Sequence, residues 1–227
     1  MGRPRSDIEP RILHAARRRF LAEGVDGASL RTIASDAKTN VGMIFYYFPT
    51  KDDLFLAVVE EVYGKLVLDL STELEGERPA AERLHGAFAR LGRATDDEVE
   101  VIRLILREAL LVPTSPRFSR LMARFREGHL AVVLRSLARG VEEGELDGSV
   151  PLPLLMMTTF AMGALPQILR RVAGHEPPFS LLPPPEPLAT IAVGLLFRGI
   201  AAREAPRRQA PKATRAKKRT KPKRAAS

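Results

Sequence analysis

Cysteine and tryptophan are both missing from this chain, and aromatic residues make up only 6% of it, with three tyrosines among them. Without cysteine there is no disulfide framework, no thiolate metal site and no thiol nucleophile. No uninterrupted apolar run reaches the ~18 residues that span a bilayer. The basic opening Met1-Gly2-Arg3-Pro4-Arg5 is followed by polar sequence rather than by the apolar segment of a secretory signal. A cytoplasmic location and no membrane partner are expected on those grounds. Alternation of apolar and polar residues between hairpin turns is lacking too, which argues against a sheet. A glycine-rich phosphate cradle, HExxH and GxSxG are absent, and His14, His85, His129 and His175 are too scattered for a metal site. Neither an enzyme nor a cofactor is expected.

What is present is an ordinary globular composition, 45% hydrophobic and 28% charged over 227 residues, with a net charge of +9. That charge is unevenly placed. Residues 1–51 carry nine Lys/Arg against five Asp/Glu, residues 52–205 carry seventeen against twenty-two, and residues 206–227 carry ten against none. A basic head and a strongly basic tail on a mildly acidic body point to a polyanionic partner.

Helical spacing runs through nearly the whole body. Ile8, Ile12, Ala15, Ala16 and Phe20 form one apolar stripe. Ser6 and Glu9 have the spacing of a capping box for that helix, and Gly24 and Gly27 are expected to end it. Ser29 is placed as the N-cap of a second helix carrying Leu30, Ile33, Ala34 and Ala37. Asn40 caps a third, with Val41, Ile44, Phe45 and Phe48 on its inner stripe, and Pro49 stops it. A fourth starts near Lys51 and runs toward Leu70. Longer helices are expected at roughly 80–94, 97–111, 116–144, 151–173 and 186–203, with an extended proline-rich loop from Glu176 to Pro187. The fold class is all-α. From about residue 204 the tail has no large apolar residue and is expected to be disordered.

Residues 29–48 therefore hold two short helices joined by the turn Lys38-Thr39-Asn40, with the small residues Ala34 and Ala37 where the helices cross. That is helix-turn-helix spacing, in which the second helix enters the major groove. The stretch RILHAARRRFLAEGVDGASLRTIASDAKTNVGMIFYYFPTKDDLFLAVVE resembles the N-terminal DNA-binding domain of the tetracycline-repressor (TetR) family. The resemblance is carried by Ile12, Ala15, Ala16, Phe20, Gly24, Ser29, Ile33, Ala34, Ala37, Gly42, Tyr47, Phe48, Lys51 and Leu54. Two departures stand out: the turn glycine of the family is Lys38 here, and a position commonly tyrosine is Phe45. Lys38 is expected to adopt a left-handed conformation at a cost of about 1 kcal/mol.

The resemblance implies DNA contacts from Val41, Gly42, Met43, Phe45, Tyr46 and Tyr47, from Ser29, Arg31 and Thr32, and from Lys51. Chemistry divides them. Tyr46, Tyr47 and Lys51 can donate to phosphates, Gly42 permits close approach, and Val41 and Met43 can pack on thymine methyl groups. Arg31 is the one side chain able to grip guanine bidentately. Tyr47 and Phe48 serve equally well as packing residues, and Phe45, on the inward stripe, as core. Arg3 and Arg5 resemble arms that enter an AT-rich minor groove.

The resemblance further implies a domain order: a DNA-binding domain over 1–51, a connecting helix over 52–71, an effector-binding and dimerisation domain over 72–203, and the basic tail over 204–227. The last two helices would pair with a second copy through Leu152, Leu155, Met156, Thr159, Phe160, Gly163 and Ala164, and through Ile191, Gly194, Leu195 and Phe197, with internal core packing as the competing reading for each. An effector pocket among the middle helices would be lined by Phe88, Leu91, Ile105, Leu106, Met122, Phe125 and His129. Its sparse polar set (His85, Arg103, Glu108, His129) suits a mainly apolar ligand. The expected function is a dimeric, ligand-responsive repressor acting on double-stranded DNA at a near-palindrome. The alternative is an architectural DNA-binding protein dominated by its basic tail.

Overall fold

A computed structural model describes residues 7–200, so Arg3, Arg5, Ser6 and the basic tail lie outside the described residues. Eleven α-helices and no β-strand occur among them. In chain order they are α1 Ile8–Gly27, α2 Leu30–Asp36, α3 Val41–Tyr47, α4 Lys51–Glu75, α5 Ala80–Gly92, α6 Asp96–Leu111, α7 Pro116–Glu127, α8 His129–Glu142, α9 Leu152–Thr159, α10 Leu165–Ala173 and α11 Pro185–Ile200. A π-helical turn, Phe160–Ala164, joins α9 to α10, and a 3-10 turn, Phe179–Leu181, interrupts the proline-rich connection expected to be extended.

Local chemistry accounts for the ends of these helices. Asn40 accepts from the Met43 amide at 2.9 Å and starts α3. Thr50 with Asp53, and Thr95 with Glu98, form reciprocal capping boxes at α4 and α6. Ser115 caps α7, with Pro116 in its first turn. Elsewhere the expected boundaries shift. Asp7 rather than Ser6 precedes α1, without a side-chain cap. Gly24 (φ 78°, ψ 165°) leaves the helical conformation and breaks α1 as expected, with a further short helical segment running on to Gly27. Ser29 holds the cap position of α2 but makes no side-chain cap bond. Gly128 splits the single helix expected over 116–144 into α7 and α8.

Two apolar cores share α4. Its first half places Leu54, Phe55, Val58, Val59 and Val62 against Ile12, Ala16 and Phe20 of α1, Ile33 and Ala34 of α2, and Ile44 and Phe48 beside α3. Its second half places Leu66, Leu70 and Leu74 among α5, α8 and α11. The first core also takes in Val101 and Leu104 of α6 and Leu121 of α7, so the N-terminal helices are packed onto the body and not merely tethered to it.

The continuous stretch Leu152–Ala173 is long and apolar enough to cross a bilayer by length and composition, contrary to the expectation that no segment reaches that length. In the fold it lies against α5 and α11. It also carries the fully buried Gln167, whose amide donates to the Pro185 carbonyl at 3.0 Å. Pro166 accounts for its π turn: the ring has no N–H for the Met162 carbonyl and crowds it, so the turn just before it widens.

Candidate nucleic-acid interface and effector cavity

The short α3 has two distinct sides. Ile44 and Phe48 are buried, and Val41 and Tyr47 pack partly against the same core. Gly42, Phe45 and Tyr46 point outward, at the i, i+3, i+4 spacing of one helix face. Phe45, expected on the inward stripe, is 49% exposed, and Tyr46 is 73% exposed. The reason is angular: once Ile44 and Phe48 take the inward direction four residues apart, Phe45 sits about 100° round the helix from Ile44. Tyr46 stacks edge-on against Tyr47 with ring centroids 5.2 Å apart. Met43 and Thr32 are half-buried at the edge of this surface, and Ser29 and Arg31 are exposed. The Arg31 guanidinium has no hydrogen bond or ion pair among the described residues.

Three positions are set by backbone needs. Lys38 has φ 53°, the one non-glycine residue among those described in the left-handed region. That conformation closes α2: the Lys38 amide donates to the Ser35 carbonyl and the Thr39 amide to the Ala34 carbonyl. Gly42 leaves room for the capping Asn40, since a Cβ there would stand 3.1 Å from the Asn40 Oδ1. Lys51, expected to reach phosphate, instead donates to the backbone carbonyls of Asp26 and Ala28 at 2.9 and 3.2 Å. It satisfies the orphan acceptors where α1 ends, and one of its three ammonium donors remains.

Arginines from the body hold this domain. Arg117 of α7 is buried; its fork donates to both oxygens of Asp26 at 2.8 and 2.7 Å, and its Nε donates to the buried Glu108 at 2.5 Å. The Arg117 hydrogen bonds hold the Asp26 carboxyl below the usual carboxylate range. Arg120 donates to Asp53, Arg107 donates to the Leu21 carbonyl, and Arg17 of α1 pairs with Asp97 and Glu100 of α6. A Cβ at Gly24 would press on the Arg107 guanidinium, so that glycine serves both the kink and the contact.

The second core encloses a cavity of about 260 Å³. Of the expected lining residues, Phe88, Leu91, Ile105, Leu106, Phe125 and His129 do line it. Met122 does not: it faces the other core, beside Phe118 and Leu121. The expected polar set is likewise corrected. His85 meets Thr190 on the surface, Arg103 donates to the Val172 carbonyl, and Glu108 is spent on Arg117, so only His129 reaches the cavity. Burial pushes the His129 imidazole below its ordinary pKa and the Tyr63 hydroxyl above its own. The Leu66, Leu70 and Leu74 wall on α4 and the inward-facing Thr159 of α9 were not anticipated as lining residues. The pair Thr158-Thr159 in the otherwise apolar run LPLLMMTTF is the available signal.

Beside the cavity lies an exposed apolar face. Leu154, Met157 and Phe160 are exposed along α9 and its π turn, and Ile191 and Leu195 along the adjoining α11. Leu155, Thr159 and Gly163, expected on that outer face, are buried; a Cβ at Gly163 would overlap the Phe88 ring.

Comparison with known proteins converges on one kind of molecule. The family described as bacterial regulatory proteins, tetR family, matches residues 12–58. The HTH-type transcriptional repressor Rv3405c of Mycobacterium tuberculosis is 34% identical over 156 residues, 61% of this chain and 81% of that protein. The HTH-type transcriptional repressor SCO4008 of Streptomyces coelicolor is 28% identical over 170 residues, 72% of this chain and 82% of that protein. Among solved structures, the transcriptional regulator FadR from Bacillus subtilis in complex with stearoyl-CoA superposes with a TM-score of 0.66 at 18% identity, covering 84% of this chain and 98% of that one.

Proposed function

The chain belongs to the tetR family of bacterial regulatory proteins, a family of transcriptional regulators, and from that premise we propose that it is a dimeric repressor released from a near-palindromic operator by a small, mainly apolar effector. The observation that carries the reading is the outward stripe of Gly42, Phe45 and Tyr46 on α3 beside the partner-free Arg31 of α2. Arg31 reads guanine bidentately, Tyr46 donates to phosphate, and Phe45 packs on the groove wall, with Ser29, Thr32, Val41, Met43 and Tyr47 at the margin. Lys51 buttresses α1 and offers its remaining donor to the backbone. A second copy docks through Leu154, Met157, Phe160, Ile191 and Leu195, which sets the two α3 helices about one DNA turn apart. The effector occupies the cavity along α4. Because α4 also builds the N-terminal core, an occupied cavity favours a spacing of the reading helices that the operator does not accept. That FadR was solved with a bound ligand supports a small-molecule effector.

The test is selection from a random DNA pool with the full chain at moderate salt, with Arg31→Ala in parallel. A near-palindrome is expected, and the variant should lose about 1–3 kcal/mol of discrimination at one symmetric base position. The ten basic residues of 206–227 favour the second reading, a tail-driven architectural protein. Under that reading, deleting the tail removes nearly all affinity and no motif is selected. Under the first, deletion lowers the salt slope and leaves the motif intact.

A further inference from the structure

The cavity wall is apolar and carries no charged side chain. Among its nineteen lining residues there is no lysine, arginine, aspartate or glutamate. Tyr63, His129 and Thr159 supply its only polar side-chain atoms, and Leu66, Leu70 and Leu74 repeat along one side of α4. From Tyr63 to Leu74 the helix rises about 16 Å, so the space is elongated along α4.

Thr159 departs from four other helical hydroxyls. Ser71, Thr72, Thr158 and Thr190 each donate to the carbonyl four residues before them. Thr159, at the entry to the π turn, does not: its Oγ1 is buried without a partner, in a residue only 4% exposed. The His129 Nδ1 is buried and unpartnered as well, on the same cavity. Buried polar atoms of this kind are normally satisfied, so two among the residues lining one apolar cavity mark where a ligand's polar group belongs. No cation is present there to offset the burial of a carboxylate or phosphate. Burial lowers the His129 pKa, which disfavours the imidazolium that could supply one.

Resting on the reading of this cavity as the effector site, we propose that the effector is an uncharged, elongated apolar molecule whose single hydroxyl or carbonyl is held by Thr159 and His129. Acids and acyl-CoA thioesters of the same chain length are rejected, and the Thr159 hydroxyl acts as the selecting group.

The full chain tests this at pH 7.5 by displacement of the neutral dye N-phenyl-1-naphthylamine; with no tryptophan in the protein, its fluorescence is read without background. Decan-1-ol and decan-2-one should displace the dye roughly tenfold more tightly than decanoate or decanoyl-CoA. Thr159→Val should weaken decan-1-ol by about threefold to tenfold and leave dye binding unchanged, which also reports that the variant is folded. Ala87→Leu, which fills the cavity, should abolish dye binding. Decanoate or decanoyl-CoA binding as tightly as decan-1-ol overturns the proposed ligand class and leaves the effector site standing. An unchanged decan-1-ol affinity in Thr159→Val overturns the selecting role. Dye that fails to bind, or that binds Ala87→Leu as before, overturns the site itself and the proposal with it.

Discussion

At the scale of single residues, Lys38 is the position where side chain and backbone are in conflict. Its left-handed φ of 53° is needed to turn the chain from α2 into α3, and a glycine would adopt it without a Cβ penalty. Lys38→Gly should therefore raise stability by about 1 kcal/mol, measured as an increased urea midpoint at constant m-value. An unchanged or lower midpoint would show that the lysine's own contacts offset the strain. Phe45 is the residue whose two sequence readings, surface contact and core, the structure separates. A phenyl ring half in water on a seven-residue helix has no folding rationale, since the core beneath is already filled by Ile44 and Phe48.

At the scale of elements, the joint between the N-terminal helices and the body turns on Arg117. It is the shared counter-ion of Asp26 on α1 and the buried Glu108 on α6, and Glu108 is only 3% exposed. Arg117→Met would strand that carboxylate and should cost about 3 kcal/mol, read by chemical denaturation. The same joint shapes the acid limb of stability. Arg117 lowers the Asp26 pKa and Arg120 that of Asp53. Burial alone would raise Glu98, but Arg90 and the Thr95 amide outweigh it and hold it low. Because these folded-state values lie below the unfolded ones, the unfolded chain binds protons first as pH falls. Their stabilisation is complete above the ordinary carboxylate range near 4 and is lost as pH drops through the lowered values. The urea midpoint should thus hold between pH 7 and 5 and fall below about pH 4. In Arg117→Met the Asp26 part of that fall should vanish.

At the scale of the whole molecule, the apolar face on α9 and α11 is the feature that a single chain leaves unexplained. Leu154, Met157, Phe160, Ile191 and Leu195 are large, apolar and exposed together, beyond the scattered exposure usual for a monomer's surface. Met157→Glu with Leu195→Glu should convert a dimer to a monomer by sedimentation equilibrium, with the helical circular dichroism retained. Operator affinity should fall steeply, since one α3 would then grip one half-site. A double variant that stays dimeric would move the interface elsewhere. Phe160 both borders this face and lines the cavity, so the two surfaces meet at one side chain.

Local chemistry was sufficient for much of this protein. The all-α class, the order of the N-terminal helices, the cap at Asn40 and the left-handed turn at Lys38 all follow from periodicity, capping residues and one departure from a family pattern. These features depend on neighbours within four residues, which a sequence displays directly. Other features were decided only when helices distant in sequence packed. A helical period marks an apolar stripe but not which of two neighbouring stripes faces inward, and so Thr159 and Gly163 are buried rather than on the outer face, while Phe45, readable as contact or as core, is exposed. Nor does it say which core a residue joins: Met122 went to the N-terminal core because α7 packs on α4 there. Charged partners are equally invisible along the chain. Lys51 and Glu108 read as free groups until folding brought the carbonyls of Asp26 and Ala28 to one and Arg117 to the other. Desolvating a charge costs more than any local preference provides, so the tertiary fold settles where each charge finds its partner.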